Sequence, residues 1–183
     1  MERTTFTNVH KKLPKYINKE EISNMLDKAK NEGKKHSYRN FIILMALART
    51  GLRSSELVSL RKQDIKHDNI IVRQGKGKKD RVVPLEKELS QLLGLYVDQL
   101  KPRDKVFDIS DRQVRNIVYK YRSVGSDVHP HTLRHSFAVH CLKSGMNIRS
   151  LQKILGHGNL NTTSIYLDVV GADVQEDFEK VKW

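Results

Sequence analysis

Imidazole, guanidinium and phenol groups, all able to act on a phosphate, gather in one C-terminal run. The stretch HPHTLRHSFAVHCLKSGMNIRSLQKILGHGNLNTTSIYLDV carries His131, Arg134, His157 and Tyr166. Pro130 suits the first turn of a helix and Gly145 its end, so His131 and Arg134 are i,i+3 neighbours near a helix N-terminus. Free backbone N–H groups and the positive end of the helix dipole favour an anion there. Leu133, Phe137 and Cys141 fall on another stripe, at i,i+4 spacing, and are expected in the core. Taken alone, the H-x-x-R spacing would equally describe a solvated helix face. Leu151, Ile154 and Leu155 anchor the next helix, which Gly156 stops, leaving His157 at the turn. Asn161 can cap a following helix that carries Tyr166.

Two further stretches supply cations. In ARTGLRSSEL, Arg53 sits just after Gly51 and before a helix start. A guanidinium held there can fork onto two phosphate oxygens, which a lysine cannot do; the alternative is a surface arginine bonded to a neighbour such as Glu56. GKGKKD places Lys76, Lys78 and Lys79 on a glycine-bearing link of hairpin length. A lysine there can enter a DNA groove and protonate a leaving oxygen. His129, His131 and His135 are close in sequence, but no Asp or Glu stands among them and no C-x-x-C spacing exists, so no metal site is expected. Neither a P-loop nor G-x-G-x-x-G is present, and no ATP- or NAD-driven chemistry is expected.

The composition points to the partner of such groups. With 34 Lys+Arg against 21 Asp+Glu, the net charge of +13 favours an anionic partner, nucleic acid before an acidic membrane. The 183 residues are enough for one domain with a real core. A single cysteine, Cys141, allows no intrachain disulfide and reads as buried and inert on an apolar helix face. The longest apolar run, FIILMALA, is too short to span a bilayer, and the first fifteen residues lack the apolar core of a signal peptide. A cytoplasmic, nucleoid-associated protein is expected.

The elements that must position these groups follow from periodicity. Residues 1–17 are polar and basic and read as an arm. NKEEISNMLDKAK begins with a capping-box pair, Asn18 and Glu21, and SYRNFIILMALART is apolar on most faces and should be central. NIIVRQ and RVVPL are β-branched runs across the lysine link, and KVFDI supplies a third strand. LEKELSQLLGLYVDQL returns to helical spacing, and Ser110 with Gln113 caps VRNIVYKY. The expected fold is α+β: predominantly helical, with a small antiparallel three-stranded sheet.

In order, TGLRSSELVSL, GKGKKDRVVPL, HPHTLRHSFAVHCL and LGHGNLNTTSIYLDV resemble the four motif regions of the tyrosine recombinase catalytic domain, the phage-integrase and Xer-like family. The resemblance covers the chain from about Asn18 to its end. It implies a site-specific recombinase that cleaves and rejoins DNA by transesterification through a 3′-phosphotyrosyl intermediate, without metal, ATP or other cofactor. In that resemblance Tyr166 is the nucleophile, His131 the general base and Lys76 the general acid. Arg53 and Arg134 stabilise the phosphate, with His157 a further donor, and Lys78, Lys79 and Arg81 contact DNA. It further implies a catalytic domain over 18–183 including a tail helix at 171–183, and double-stranded DNA as partner. A homo-tetramer is expected on synapsed DNA, and a monomer or weak oligomer when free. A type IB topoisomerase would use the same active-site logic, but TGLRSSEL and LGH favour the recombinase. A purely DNA-binding module would be indifferent to Tyr166→Phe.

Overall fold

Helix α2 (Ser37–Thr50) is apolar on almost every face, and Phe41 through Ala48 are all buried. A helix of this kind is stable only with neighbours all round it. They are α1 (Lys19–Asn31), α3 (Ser54–Ser59), α4 (Lys87–Val97), α5 (Asp111–Tyr121) and α6 (Pro130–Lys143), each of which packs against it. The computed structural model describes residues 14–73, 80–157, 159 and 161–170. Lys76, Lys78, Lys79 and the tail 171–183 lie outside the described residues.

The helix ends follow the capping signals. Asn18 Oδ1 accepts from the Glu21 N–H at 2.8 Å and starts α1, which buries Met25, Leu26 and Ala29. Ser110 and Gln113 form a reciprocal box at the head of α5, with Oγ and Oε1 accepting from each other's backbone N–H at 3.2 and 2.8 Å. Pro130 occupies the first turn of α6. Gly51 closes α2 in the left-handed region, at φ 65°. A Cβ there would lie 2.5 Å from Phe137 Cδ1 and 2.9 Å from Leu155 Cδ2, so the turn that delivers Arg53 needs glycine on both counts. The N-terminal stretch is drawn in before its expected boundary at residue 17. The Ile17 N–H donates to Ser136 Oγ at 2.9 Å, and the Ile17 side chain joins the core.

Among the described residues the sheet has two strands rather than the expected three. β1 (Asn69–Val72) pairs antiparallel with β2 (Arg81–Pro84), with Asn69 opposite Pro84 and Val72 opposite Arg81. KVFDI contributes only one bridge, Lys105 to Arg61, and one bond from the Val106 N–H to Leu60 O. The physical reason lies in the partner. Directly after Arg61 the chain turns into a 3-10 helix (Lys62–Asp64), so no extended backbone remains to pair with. Val106, Phe107 and Ile109 are instead buried in the core. Helices α7 (Ile148–Leu155) and α8 (Asn161–Val170) complete the fold against α6. No described helix is long and apolar enough to cross a membrane.

Gly125 also has positive φ, but a Cβ there would meet nothing within 4 Å. Gly125→Ala should therefore cost about 1 kcal/mol, the backbone penalty alone. Gly51→Ala should add about 1–3 kcal/mol of overpacking to that. Urea unfolding of the two variants checks the difference.

Candidate active site

The site is built on a buried carboxylate. Glu56 lies in the first turn of α3, where its Oε2 accepts from the Arg53 N–H at 2.8 Å and its Oε1 from Arg53 Nη1 at 3.0 Å. From β2, Arg81 adds a two-pronged contact, Nη1 to Oε1 and Nη2 to Oε2, both 2.8 Å. Arg134 Nη1 stands 3.9 Å from Oε2. Burial alone would raise the Glu56 carboxyl, but the bonds from Arg81 and the Arg53 backbone outweigh it and hold the group at about 2. Three guanidiniums thus surround one carboxylate, leaving a local excess of positive charge.

Arg134 is 3% exposed, not turned to a free helix face. It donates to Gly51 O at the end of α2 and to Leu155 O at the end of α7, the latter at 2.7 Å. Its Nη2 is also 3.0 Å from His157 Nε2. Arginine only donates, so His157 Nε2 accepts, and the ring proton sits on Nδ1, which meets Thr163 Oγ1 of α8 at 2.9 Å. Burial, then repulsion from Arg53, lowers Arg134 to about 10, which leaves it charged at neutral pH. Gly156, at φ 66°, lets the chain turn against Arg81: a Cβ there would lie 2.8 Å from Arg81 Cδ.

Tyr166 of α8 is 2% exposed, and burial raises its phenol above the ordinary value, opposed by the charges of Arg134 and Arg53. Its hydroxyl lies 2.8 Å from His135 Nδ1. His131 is elsewhere. It is exposed, edge-on to His129, in a cleft of about 410 Å3 shared with Arg53, Ser54, Asp111 and Arg115. Burial, then the charges of His129 and Arg134, lowers its pKa.

The structure therefore brings Arg53, Arg134 and His157 together beside the helix of Tyr166, with His131 on the rim. Lys76 and the two neighbouring lysines fall outside the described residues. Arg81, expected on the DNA face, is instead consumed by Glu56 and by Ile154 O, which its Nε reaches at 2.7 Å. The Tyr166 hydroxyl meets His135, one helical turn on from His131. Sequence reasoning named Glu56 only as an alternative partner of Arg53, a contact the structure contains, but not as the carboxylate that also gathers Arg81 and Arg134, and it gave His135 no contact with Tyr166.

Comparison with known proteins places this arrangement. The model of the phage integrase family matches residues 15–171. A tyrosine recombinase of Thermosipho africanus is 40% identical over an alignment covering 100% of this chain and 66% of its own length. The tyrosine recombinase XerA of Thermococcus kodakarensis is 37% identical, covering 99% of this chain and 67% of its own. The chain thus spans about two thirds of the length of these relatives. Among solved structures, a XerA recombinase crystal structure superposes with a TM-score of 0.76 at 29% identity, over 94% of this chain and 68% of that one. The catalytic domain of bacteriophage HP1 integrase gives 0.69 at 26% identity, over 91% and 95%. The chain belongs to the phage integrase family.

Glu56 carries a pH signature. Its carboxyl is lowered from 4.5 to about 2 on folding, so its stabilisation is complete above 4.5 and disappears as pH falls towards 2. At neutral pH this amounts to about 3 kcal/mol. Glu56→Gln should flatten that part of the acid unfolding limb and cost about 3–5 kcal/mol at pH 7, because it strands buried cations. Urea titrations between pH 2 and pH 7 measure both effects.

Proposed function

We propose that this chain is the catalytic domain of a site-specific DNA recombinase, which cleaves and rejoins double-stranded DNA through a 3′-phosphotyrosyl intermediate on Tyr166. The observation that carries the reading is the convergence of Arg53, Arg134 and His157, fixed by one buried network, beside the helix of Tyr166. The relatives named tyrosine recombinases support it, as does the resemblance in fold to XerH, at 27% identity and TM-score 0.71, whose structure is a post-cleavage complex with a palindromic difH substrate.

In this reading the phosphate enters the excess positive charge around Glu56. Arg53 forks onto its oxygens and Arg134 supplies the buried second charge, and together they stabilise the pentavalent phosphorus as metal ions do in other phosphoryl transfers. His157 joins as a donor only when Nε2 carries a proton, so binding of the phosphate exchanges the Arg134 contact for one to oxygen. His131, on the rim beside Arg53, is the general base for Tyr166, an assignment that rests on its motif. Lys76 protonates the leaving 5′ oxygen, an assignment that rests on its motif. The covalent link keeps the phosphoester bond energy, so a 5′-hydroxyl rejoins the strand without ATP. The domain spans 18–183, and a homo-tetramer forms on synapsed DNA, with Val174, Phe178 and Val181 of the tail docking on a neighbouring protomer.

Incubation with supercoiled DNA followed by a denaturing quench tests the reaction. Wild type should leave protein covalently attached to DNA, and Tyr166→Phe should bind DNA but leave none. Arg53→Ala should reduce adduct formation about 10²–10³-fold. Equal adduct from Tyr166→Phe would sink the reading. Deletion of 171–183 should leave DNA binding by one protomer in place and abolish higher-order complexes on gel shift; unchanged assembly would remove the tail from the proposal.

A further inference from the structure

Three hydroxyl side chains, Thr162, Thr163 and Ser164, follow one another at the start of α8, and of these only Thr163 is fully buried, at 0% exposed. A buried hydroxyl is stable only with a hydrogen-bond partner. Here the partner is the imidazole of His157: Thr163 Oγ1 lies 2.9 Å from its Nδ1. The other ring nitrogen, Nε2, is 3.0 Å from Arg134 Nη2. His157 is thus held between a buried guanidinium and a buried hydroxyl, and the hydroxyl comes from the helix that carries Tyr166. We propose that Thr163 is a positioning residue, whose hydroxyl holds the His157 ring in place while the ring proton moves from Nδ1 to Nε2 to meet a phosphate. The inference rests on the recombinase reading above.

A hydroxyl is the group this place requires. With Arg134 donating to Nε2, the ring proton is on Nδ1 and Thr163 Oγ1 accepts it. For His157 to donate to a phosphate oxygen, Nε2 must carry the proton, and the bare Nδ1 then needs a donor. A threonine hydroxyl turns about its C–O bond and serves either way. A carboxylate or carbonyl here would only accept, holding the proton on Nδ1, and an ammonium would only donate. The exchange balances with water as the one other reactant: Nδ1 releases a proton to water, Nε2 takes one from water, and the charge of the ring is unchanged. His157 is half-buried, which gives water access to it.

The contact is local to the turn between α7 and α8. Thr163 follows His157 by six residues and lies in the first turn of α8. Gln152 holds the same turn by its backbone, its Nε2 donating to His157 O at 3.1 Å, and leaves the ring free to turn about its own bonds. Thr163 and Arg134 fix the ring itself. Tyr166 is buried here in the cluster of Ala138, Val139, Leu151 and Leu155, and the Thr163 bond is made with the phenol in that position. Thr163 therefore acts on His157 and the phosphate side of the site, before the phenol is brought to phosphorus.

The test pairs magnetic resonance with single-turnover adduct formation, both on the full chain and on duplex DNA carrying the cleavage site mapped from wild-type adducts. Proton–nitrogen correlations in isotope-labelled histidine read the tautomer, with the His157 signals identified by their loss in His157→Ala. Free wild type should carry the His157 proton on Nδ1, and DNA-bound Tyr166→Phe should carry it on Nε2. A proton on Nε2 without DNA, on Nδ1 with it, or on both nitrogens with it would overturn the proposal. Thr163→Val, close in shape but without the hydroxyl, should bind DNA as wild type does and form adduct about 10–100-fold more slowly, with Thr163→Ser restoring the rate. In a His157→Ala background the valine substitution should cost less than about twofold more, since its effect passes through that ring. An additive loss would reduce Thr163 to packing and overturn the proposal, as would a wild-type rate in Thr163→Val. If circular dichroism shows that the valine variant does not fold, the tautomers of wild type and Tyr166→Phe decide by themselves. No adduct from wild type on DNA it binds would instead sink the recombinase reading, and this inference with it.

Discussion

The carboxylate of Glu56 makes the rest of the site possible. Arg53, Arg81 and Arg134 come from a helix start, a strand and the second turn of another helix, and their like charges would keep them apart. A single buried anion offsets that repulsion, fixing the Arg81 guanidinium by a pair of short hydrogen bonds and Arg53 by one from its guanidinium and one from its backbone N–H. It neutralises only one charge of three. A group of this kind holds the scaffold together and still leaves positive charge for a phosphate. Arg81 is wholly taken up by the scaffold, while Arg53 borders the open cleft.

Helix ends accept further bonds from Arg81 and Arg134. Gly51 O closes α2, and Ile154 O and Leu155 O close α7, all carbonyls that no further turn of their own helix can satisfy. The negative end of each helix dipole thus points at an arginine. Both helices stop in a left-handed glycine, and both glycines are pressed against the network, Gly51 on Leu155 and Gly156 on Arg81. Backbone termination and charge placement are one structural event here, which is why packing defects at these glycines would be felt in the chemistry.

Three imidazoles near the site occupy three electrostatic situations. His131 is on the rim, open to a ligand. His157 is fixed in one tautomer between Arg134 and Thr163. His135 is sheltered and neutral against the phenol. Residue type alone would give all three the same potential; burial and neighbours separate them.

The order of elements was legible in the sequence because it depends on neighbours along the chain. The Asn18 and Ser110 caps, the all-apolar α2, Pro130 at the head of α6 and the terminating Gly51 and Gly156 each act within a few residues. The same local signals placed Arg53 at a helix start and His157 in a turn. The third strand was not legible, because KVFDI has strand-like residues but its partner turns away after Arg61. Nor could sequence tell Arg81, a basic residue beside a lysine loop, from a DNA contact, since its burial depends on Glu56 lying 25 residues away. The choice between His131 and His135 as the neighbour of Tyr166 was likewise set by how α8 lies on α6. Local chemistry determined which groups this protein has and on which elements they sit. Which of them touch was decided by tertiary packing, because hydrogen bonds and ion pairs form over a few ångströms between residues the sequence keeps far apart.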